Sequence, residues 1–380
     1  MRRSVIIVAS AIFLVTHAPS LQVPLYSIYA QKAGFGSGIS AVAFATYVIG
    51  LLPTLILFGG ISDRVGRKKV ILASLLSAML ATFVMIIYPN IYALFITRVL
   101  QGIAVGLITG TGTAYISTII PNNSAQVAAY VSLTSSLGFS SGALFTNAVL
   151  LLDKKTLVPL SYWVVFILTF LSIGFASQLP EQPISRTALV RLPSFPNGTI
   201  APGFAIALAW SLAGIVSLTL PAKLIKYGLP DWSGLMLFIF VISGVLVQPF
   251  ARRLKARYAV QFGAVILVFG YIVFTYGANA GALSLVIFGV AIAGTACYGF
   301  TYLGGLSEIL KFSASQSARI TSGYFICAYL GYGVPIVVIG FLSDKIGIVN
   351  SLFGFGVLFI ISNILLALHY QQLKKKSNSI

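Results

Sequence analysis

The sequence predicts an all-α membrane protein, with twelve transmembrane helices in two pseudo-symmetric six-helix bundles. Three observations carry that prediction. Hydrophobic residues make up 58% of the 380 and charged residues only 8%, with a mean hydropathy of +1.00. A soluble domain holds about 45–50% apolar and about 25% charged residues, so this chain lacks the charge to cover a water-facing surface. Apolar runs near the ~20 residues needed to cross a bilayer recur along the whole length. One polar segment with four prolines, LPEQPISRTALVRLPSFPNGTI at 179–200, interrupts them at mid-chain.

The first run opens as MRRSVIIVASAIFLVTHAPS, which has the basic start and apolar middle of a secretory signal. Apolar sequence continues through Tyr29, so it reads as a retained first span near 4–30, loosened around Gln22 by Pro19 and Pro24. Runs near 39–58, 70–88, 91–118, 124–151 and 158–179 complete a first bundle, residues 1–179. Residues 180–200 form a linker. Runs near 201–224, 232–250, 259–277, 282–309, 316–341 and 348–369 make the second bundle, residues 201–380. With the N-terminus in the cytoplasm, seventeen Lys and Arg fall on the inner side and six on the outer, with Arg98 left inside the fourth span. That bias follows the positive-inside rule and places both termini in the cytoplasm of a multi-pass cell-membrane protein. SAQVAAYVSLTSSLGF at 124–139 aligns without gaps with SARITSGYFICAYLGY at 317–332, and GIAVG at 102 resembles GVAIAG at 289. Offsets near half the chain point to a duplicated bundle.

Several function classes are excluded. The net charge of +18 is scattered between apolar runs and not gathered on a soluble face, so nucleic acid is not an expected partner. Cys297 and Cys327 stand alone in apolar runs, without metal-ligand or disulfide spacing. GFSSG at 138–142 fits the hydrolase nucleophile pattern but lies in a predicted span, far from the strand–turn–helix that such chemistry needs. No nucleotide-binding motif is present, and neither an enzyme activity, a metal nor a cofactor is expected.

The stretch GGISDRVGRKKVI at 59–71 gathers one acid and four bases behind two glycines, between the second and third spans. Orientation explains the bases but not Asp63 or the glycines. Here the chain resembles the major facilitator superfamily, whose loop signature is matched by Gly59, Ile61, Ser62, Asp63, Arg64, Gly66, Arg67 and Lys68. A second family signature in the fourth span is matched by Arg98, Gln101 and Gly102. The resemblance covers the whole chain. It implies a secondary transporter working by alternating access around a central cavity. It also implies a gating role for Gly59, Asp63, Arg64, Gly66 and Arg67, with Asp63 meeting the start of the eleventh span. A carboxylate at a helix N-terminus contributes roughly 0.3–2 kcal/mol, and about 1.4 kcal/mol shifts a two-state population tenfold. The family's acid at the inner end of the fourth span is missing from TAYISTIIPNNS, which leaves Arg67 without that partner. GFLSDKIG at 340–347 resembles a second copy but falls on the outer side by the span count, and it reads as a chance echo.

Charge inside a bilayer is costly, about 2.5–3.5 kcal/mol for a central Arg, and marks candidate solute or coupling groups. Arg98 is the first of these, with Gln101 one turn away. His17, in the first span, has the chemistry of a proton carrier. Glu308 is a weaker coupling candidate at the end of the tenth span, where pairing with Lys311 competes. The resemblance places the cavity on spans one, four, seven and ten, which offer Gln22, Arg98, Gln101, Trp210, Tyr298 and Tyr302. Gly102, Gly106 and Gly110 recur every four residues, as close helix packing requires. The remaining acids lie in predicted loops or at span ends, and Ala143 stands where drug–proton antiporters carry proline.

The expected protein is a monomeric transporter in a lipid bilayer, moving a small organic solute, neutral or anionic by preference, with protons as a candidate coupling ion. A multidrug–proton efflux antiporter of the same superfamily is the first alternative. A transporter-like receptor that binds without flux is the alternative of another class.

Overall fold

A computed structural model describes every residue except 1, 59, 122–123, 154–155, 183–191, 226–231, 310, 312–313 and 379–380. The chain forms two compact units, Met1–Phe35 with Val42–Leu192, and Gly36–Ala41 with Pro193–Ile380. Most of the predicted linker, and Gly59 of the loop signature, lie outside the described residues.

In the first unit, α1 (Arg2–His17) gives way to two short 3-10 turns at Ala18–Ser20 and Val23–Leu25 before α2 (Tyr26–Lys32) resumes. Pro19 and Pro24 stand at the starts of those turns, where a missing N–H and a fixed φ interrupt the α-helical ladder. The helix α3 (Ser37–Leu57) starts among the second unit's residues and runs on into the first. A five-residue helix, α4 (Ile61–Val65), precedes α5 (Arg67–Ile87), α6 (Ile91–Ile119), α7 (Ser124–Leu150) and α8 (Leu160–Ala176). Helix α6 is N-capped by Asn90, whose side chain accepts from Ala93 N at 2.9 Å. Glycine sets the α3–α6 crossing. A methyl on Gly102 would run into the Tyr47 carbonyl, and one on Gly106 would meet Thr54 at 2.8 Å. Gly110, the third of the predicted packing glycines, faces open space.

In the second unit, α9 (Ile200–Gly214) continues through a π-helical segment at Ile215–Thr219 into α10 (Leu220–Ile225). Then come α11 (Ser233–Ala251), α12 (Ala256–Ala280) and α13 (Leu283–Gly294), which widens into a second π segment at Thr295–Thr301 and ends as α14 (Tyr302–Ile309). The unit closes with α15 (Ala314–Ile346) and α16 (Ile348–Asn378).

Among the described residues ten helices are long and apolar enough to cross a membrane. Helix α8 is a shorter apolar helix, and α7 spans 27 residues rich in Ser, Thr and Ala. Those two lie where the sequence places the fifth and sixth spans. Large apolar side chains such as Leu168, Phe170, Leu246, Phe353 and Leu358 stand exposed on the helices. In water such a surface would drive aggregation, and in lipid it is the favoured exterior.

Candidate functional site

The loop after α3 is ordered by a glycine and an arginine. Gly66 adopts φ +99°, a conformation that L side chains avoid, and so turns α4 directly into α5. Arg67, the first residue of α5, places Nη2 3.4 Å from Asp63 Oδ1 and donates from Nη1 to the Ala114 carbonyl of α6 at 3.0 Å. Arg67 therefore has a partner on the fourth span after all: a backbone carbonyl does what the missing acid does elsewhere. The Glu181 carboxylate also approaches this corner, 3.2 Å from where a methyl on Gly66 would stand. Arg64 lies on α4 beside Asp63.

A polar network sits where the first span is broken. Arg98 is only 2% exposed, and its guanidinium donates to the Pro19 carbonyl at 3.0 Å, the Phe44 carbonyl at 3.1 Å and Gln101 Oε1 at 3.2 Å. Gln101 Nε2 donates to the Ala18 carbonyl at 3.2 Å and to Gln22 Oε1 at 3.1 Å. At the proline-broken segment the Ala18 carbonyl keeps a 3.3 Å bond from Leu21 N, and α6 supplies donors to it and to the Pro19 carbonyl. The guanidinium also lies 4.6 Å from the Tyr47 ring centroid and 5.3 Å from that of Phe44, within cation–π range. Two donors in the network, Arg98 Nε and Gln22 Nε2, are buried without an acceptor. A buried donor left in that state costs about 1–3 kcal/mol.

His17 ends α1 one residue before the break. Its Nδ1 is 2.9 Å from Ser141 Oγ, and the Ser141 hydroxyl donates to the Leu137 carbonyl. With the hydroxyl given to Leu137, the serine oxygen accepts from Nδ1–H, and in that tautomer Nε2 is the unprotonated nitrogen. Phe13 and Phe145 flank the imidazole at 5.2 and 6.1 Å.

In the second unit the predicted aromatic residues form one cluster with partners on α15. The Trp210 indole packs edge-on to Tyr329 with centroids 4.9 Å apart, and lies 6.2 Å from Tyr332 and 6.3 Å from Tyr298. Tyr302 joins through Phe325, at 6.3 Å. Trp210 Nε1 is buried without an acceptor. Tyr298 sits inside the second π segment, where its carbonyl accepts from the buried Gln248 side chain at 3.4 Å. A π segment shifts the i→i−4 ladder by one residue, and such bulges recur at functional sites.

Glu308 faces across the bundle and not along its own helix. The Tyr370 hydroxyl donates to Oε2 at 2.8 Å, and Arg257 Nε lies 3.8 Å from Oε1, so the expected pairing with Lys311 is replaced by partners on α16 and α12. Glu308 is the penultimate residue of α14, six residues after Tyr302.

The structure therefore brings together Arg98, Gln101 and Gln22 in one unit, and Trp210, Tyr298 and Tyr302 in the other. Three groups were missed from the sequence. Tyr329 and Tyr332 were legible only as repeat markers, although their spacing of three places them on one helix face. Lys223, counted among the outer-side bases, is 5% exposed within α10.

The architecture matches that of solved transporter structures. MdtG, a multidrug resistance protein of Escherichia coli, is 28% identical over 217 residues, which cover 54% of this chain and 52% of that protein. The chain thus spans about half the length of the curated relatives it matches. The xylose transporter XylE of E. coli superposes with a TM-score of 0.74 at 14% identity, over 95% of this chain and 94% of the other. The human organic anion transporter MFSD10 superposes with a TM-score of 0.67 at 19% identity, over 96% and 99%. At such identities the two structures speak to the fold alone. The family model described as Major Facilitator Superfamily matches residues 8–333, most of the chain. This multi-pass membrane protein belongs to the Major Facilitator Superfamily.

Proposed function

We propose that the chain is a secondary active transporter that moves a small neutral or anionic organic solute across a cell membrane by alternating access of its two bundles. The observation that carries this reading is the set of buried donors without acceptors among the candidate solute residues: Arg98 Nε, Gln22 Nε2 and Trp210 Nε1. An oxygen-bearing solute supplies what they lack, and a cation without acceptor atoms does not. The sign of the buried charge agrees, because Arg98 and Lys223 are bases while the acids among the described residues lie in loops or near the ends of helices. The Trp210–Tyr298–Tyr329 cluster offers flat apolar faces against which a ring or sugar packs. His17 is the proposed proton carrier, with Nε2 as the exchanging atom, and Glu308 a secondary one. The protein works as a monomer with both termini cytoplasmic.

The similarity to a multidrug resistance protein favours a second reading, proton-driven efflux of many compounds. Flux in proteoliposomes under an imposed pH gradient separates the readings, with p-aminobenzoate, uridine, xylose and ethidium as probes. Gradient-driven movement of an anionic or neutral probe, with ethidium static, is expected. Ethidium movement alone overturns the charge preference in favour of efflux, and binding of a probe without movement of any points to a receptor.

Asp63, with Arg64, Gly66 and Arg67, is the proposed gate on the loop after α3. Asp63→Asn removes one charge and leaves the shape, and flux is expected to fall about tenfold, the effect of roughly 1.4 kcal/mol. Flux equal to the parent, at equal protein in the membrane, removes Asp63 from the gate.

A further inference from the structure

The octapeptide GFLSDKIG, an echo by its sequence position, carries a contact of its own. Near the C-terminal end of α15, Asp344 sets Oδ1 2.8 Å from Ser37 N and Oδ2 2.8 Å from Gly38 N. Those amides open α3, where a helix has N–H groups without intrahelical partners and a partial positive charge. One carboxylate takes two of them, across 307 and 306 residues of sequence. Both bonds are charge-assisted.

Glycine makes the seat. A methyl on Gly36 would stand 2.6 Å from Asp344 Oδ1, and one on Gly38 would lie 2.5 Å from the Phe341 ring and 3.0 Å from Asp344 Oδ2. From the other side, a methyl on Gly340 would press on Ala41 Cβ at 2.7 Å and on the Ser37 carbonyl at 2.9 Å. Three glycines on two helices are therefore needed for α15 to reach the start of α3. Residues Gly36–Ala41 belong by their contacts to the second unit, and from Val42 onward α3 belongs to the first. The seat, with Ser37, Gly38 and Asp344 all in the second unit, thus lies at the first turn of a helix whose later turns belong elsewhere.

We infer that Asp344 is a releasable latch on the first turn of α3, at the end of that helix opposite the Asp63 loop. With 21 residues at about 1.5 Å each, the two carboxylates act roughly 30 Å apart on one rod. The inference rests on the alternating-access reading, in which the start of α3 and the end of α15 part during each cycle. A carboxylate on a helix start changes a two-state population by roughly two- to thirtyfold.

The test reads this end of α3 directly and needs no solute. The full chain carrying Cys327→Ser is placed in lipid nanodiscs, where both faces meet solvent. The rate of modification by a charged maleimide is then measured at Ser40→Cys, whose parent residue is 4% exposed one turn into α3. Ser177→Cys, at an exposed position after α8, serves as the control. Asp344→Ala is expected to raise the Ser40→Cys rate about two- to thirtyfold, and Asp344→Asn less, with the control rate unchanged. Gly36→Ala, which drives a methyl into the carboxylate without touching Asp344, is expected to do the same and carries the test if Asp344→Ala does not fold. Unchanged rates at Ser40→Cys in the folded variants overturn the latch. An equal rise at Ser177→Cys also overturns it, because it shows Asp344 to be a static cap whose loss loosens the whole fold. Neither outcome touches the transport reading, which falls only if the flux experiment fails.

Discussion

The two units solve one packing problem alike and then diverge. In the first, α3 and α6 cross at Gly50 and Gly102, each of which presses on the other helix's backbone. In the second, Gly244 of α11 and Gly294 at the end of α13 meet the same way, Gly244 against the Gly294 carbonyl and Gly294 against the Phe240 carbonyl. Gly102 and Gly294 are 192 residues apart, close to the offset of the sequence repeat. The contents beside the crossings differ. The first unit breaks a helix with prolines and answers carbonyls at the break with Arg98 and Gln101. The second keeps its helices continuous, widens two of them into π segments, and packs Trp210 and tyrosines beside them. A duplicated frame thus leaves room for division of labour, with charge and hydrogen bonding on one side and flat apolar surface on the other.

The strongest way to break this contrast is at Arg98. Arg98→Ala strips donors from two buried carbonyls and from Gln101, and a buried polar group left without its partner costs about 1–3 kcal/mol. Thermal unfolding in detergent is expected to move down by several degrees, and flux to be lost. Arg98→Lys keeps the charge with a single point of attachment and should retain the fold while lowering flux at least tenfold. Parent-like flux in both variants removes Arg98 from the solute and coupling machinery.

Trp210→Phe sharpens the other half. It keeps a ring against Tyr329 and deletes the unpaired Nε1 donor. If that donor meets solute, half-saturating concentration rises about tenfold, one hydrogen bond of roughly 1.4 kcal/mol, with unfolding unchanged. If the tryptophan only fills space, neither quantity moves.

The smallest effects test the shared frame. Gly102→Ala forces a methyl against the α3 backbone, and overpacking of this kind costs about 1–3 kcal/mol. Gly110→Ala, two turns along the same face with open space around it, is expected to change stability by less than about 0.5 kcal/mol or to raise it slightly. Equal effects at the two positions would mean that the crossing is not where the structure puts it.

How much of this the sequence carried depends on the range of each interaction. Spans are local and were legible, because a bilayer demands apolar runs of set length and the runs are there. The loosened first span was legible too, since Pro19 and Pro24 act on their own backbone. What its carbonyls bind was not, because Arg98 lies 79 residues from Pro19 and only packing joins them. The π segments left no pattern, as IVSLT and TACYGFT read as ordinary apolar helix. Glu308 misled for the same reason, since a neighbour in sequence was in view and Tyr370 was not. Asp344 was discounted because its motif sat on the wrong side, although what a carboxylate needs is a helix start within reach and not a motif.

The interrupted first helix has a consequence for how the chain is made. Its Pro19 carbonyl enters the membrane long before its donor at 98 has been synthesised. Hydrocarbon offers such groups no hydrogen bond. The nascent segment must therefore wait near water or chaperoning protein until its fourth neighbour arrives, which makes the earliest stage of biogenesis a joint insertion and ties the order of synthesis to the place where the polar site forms.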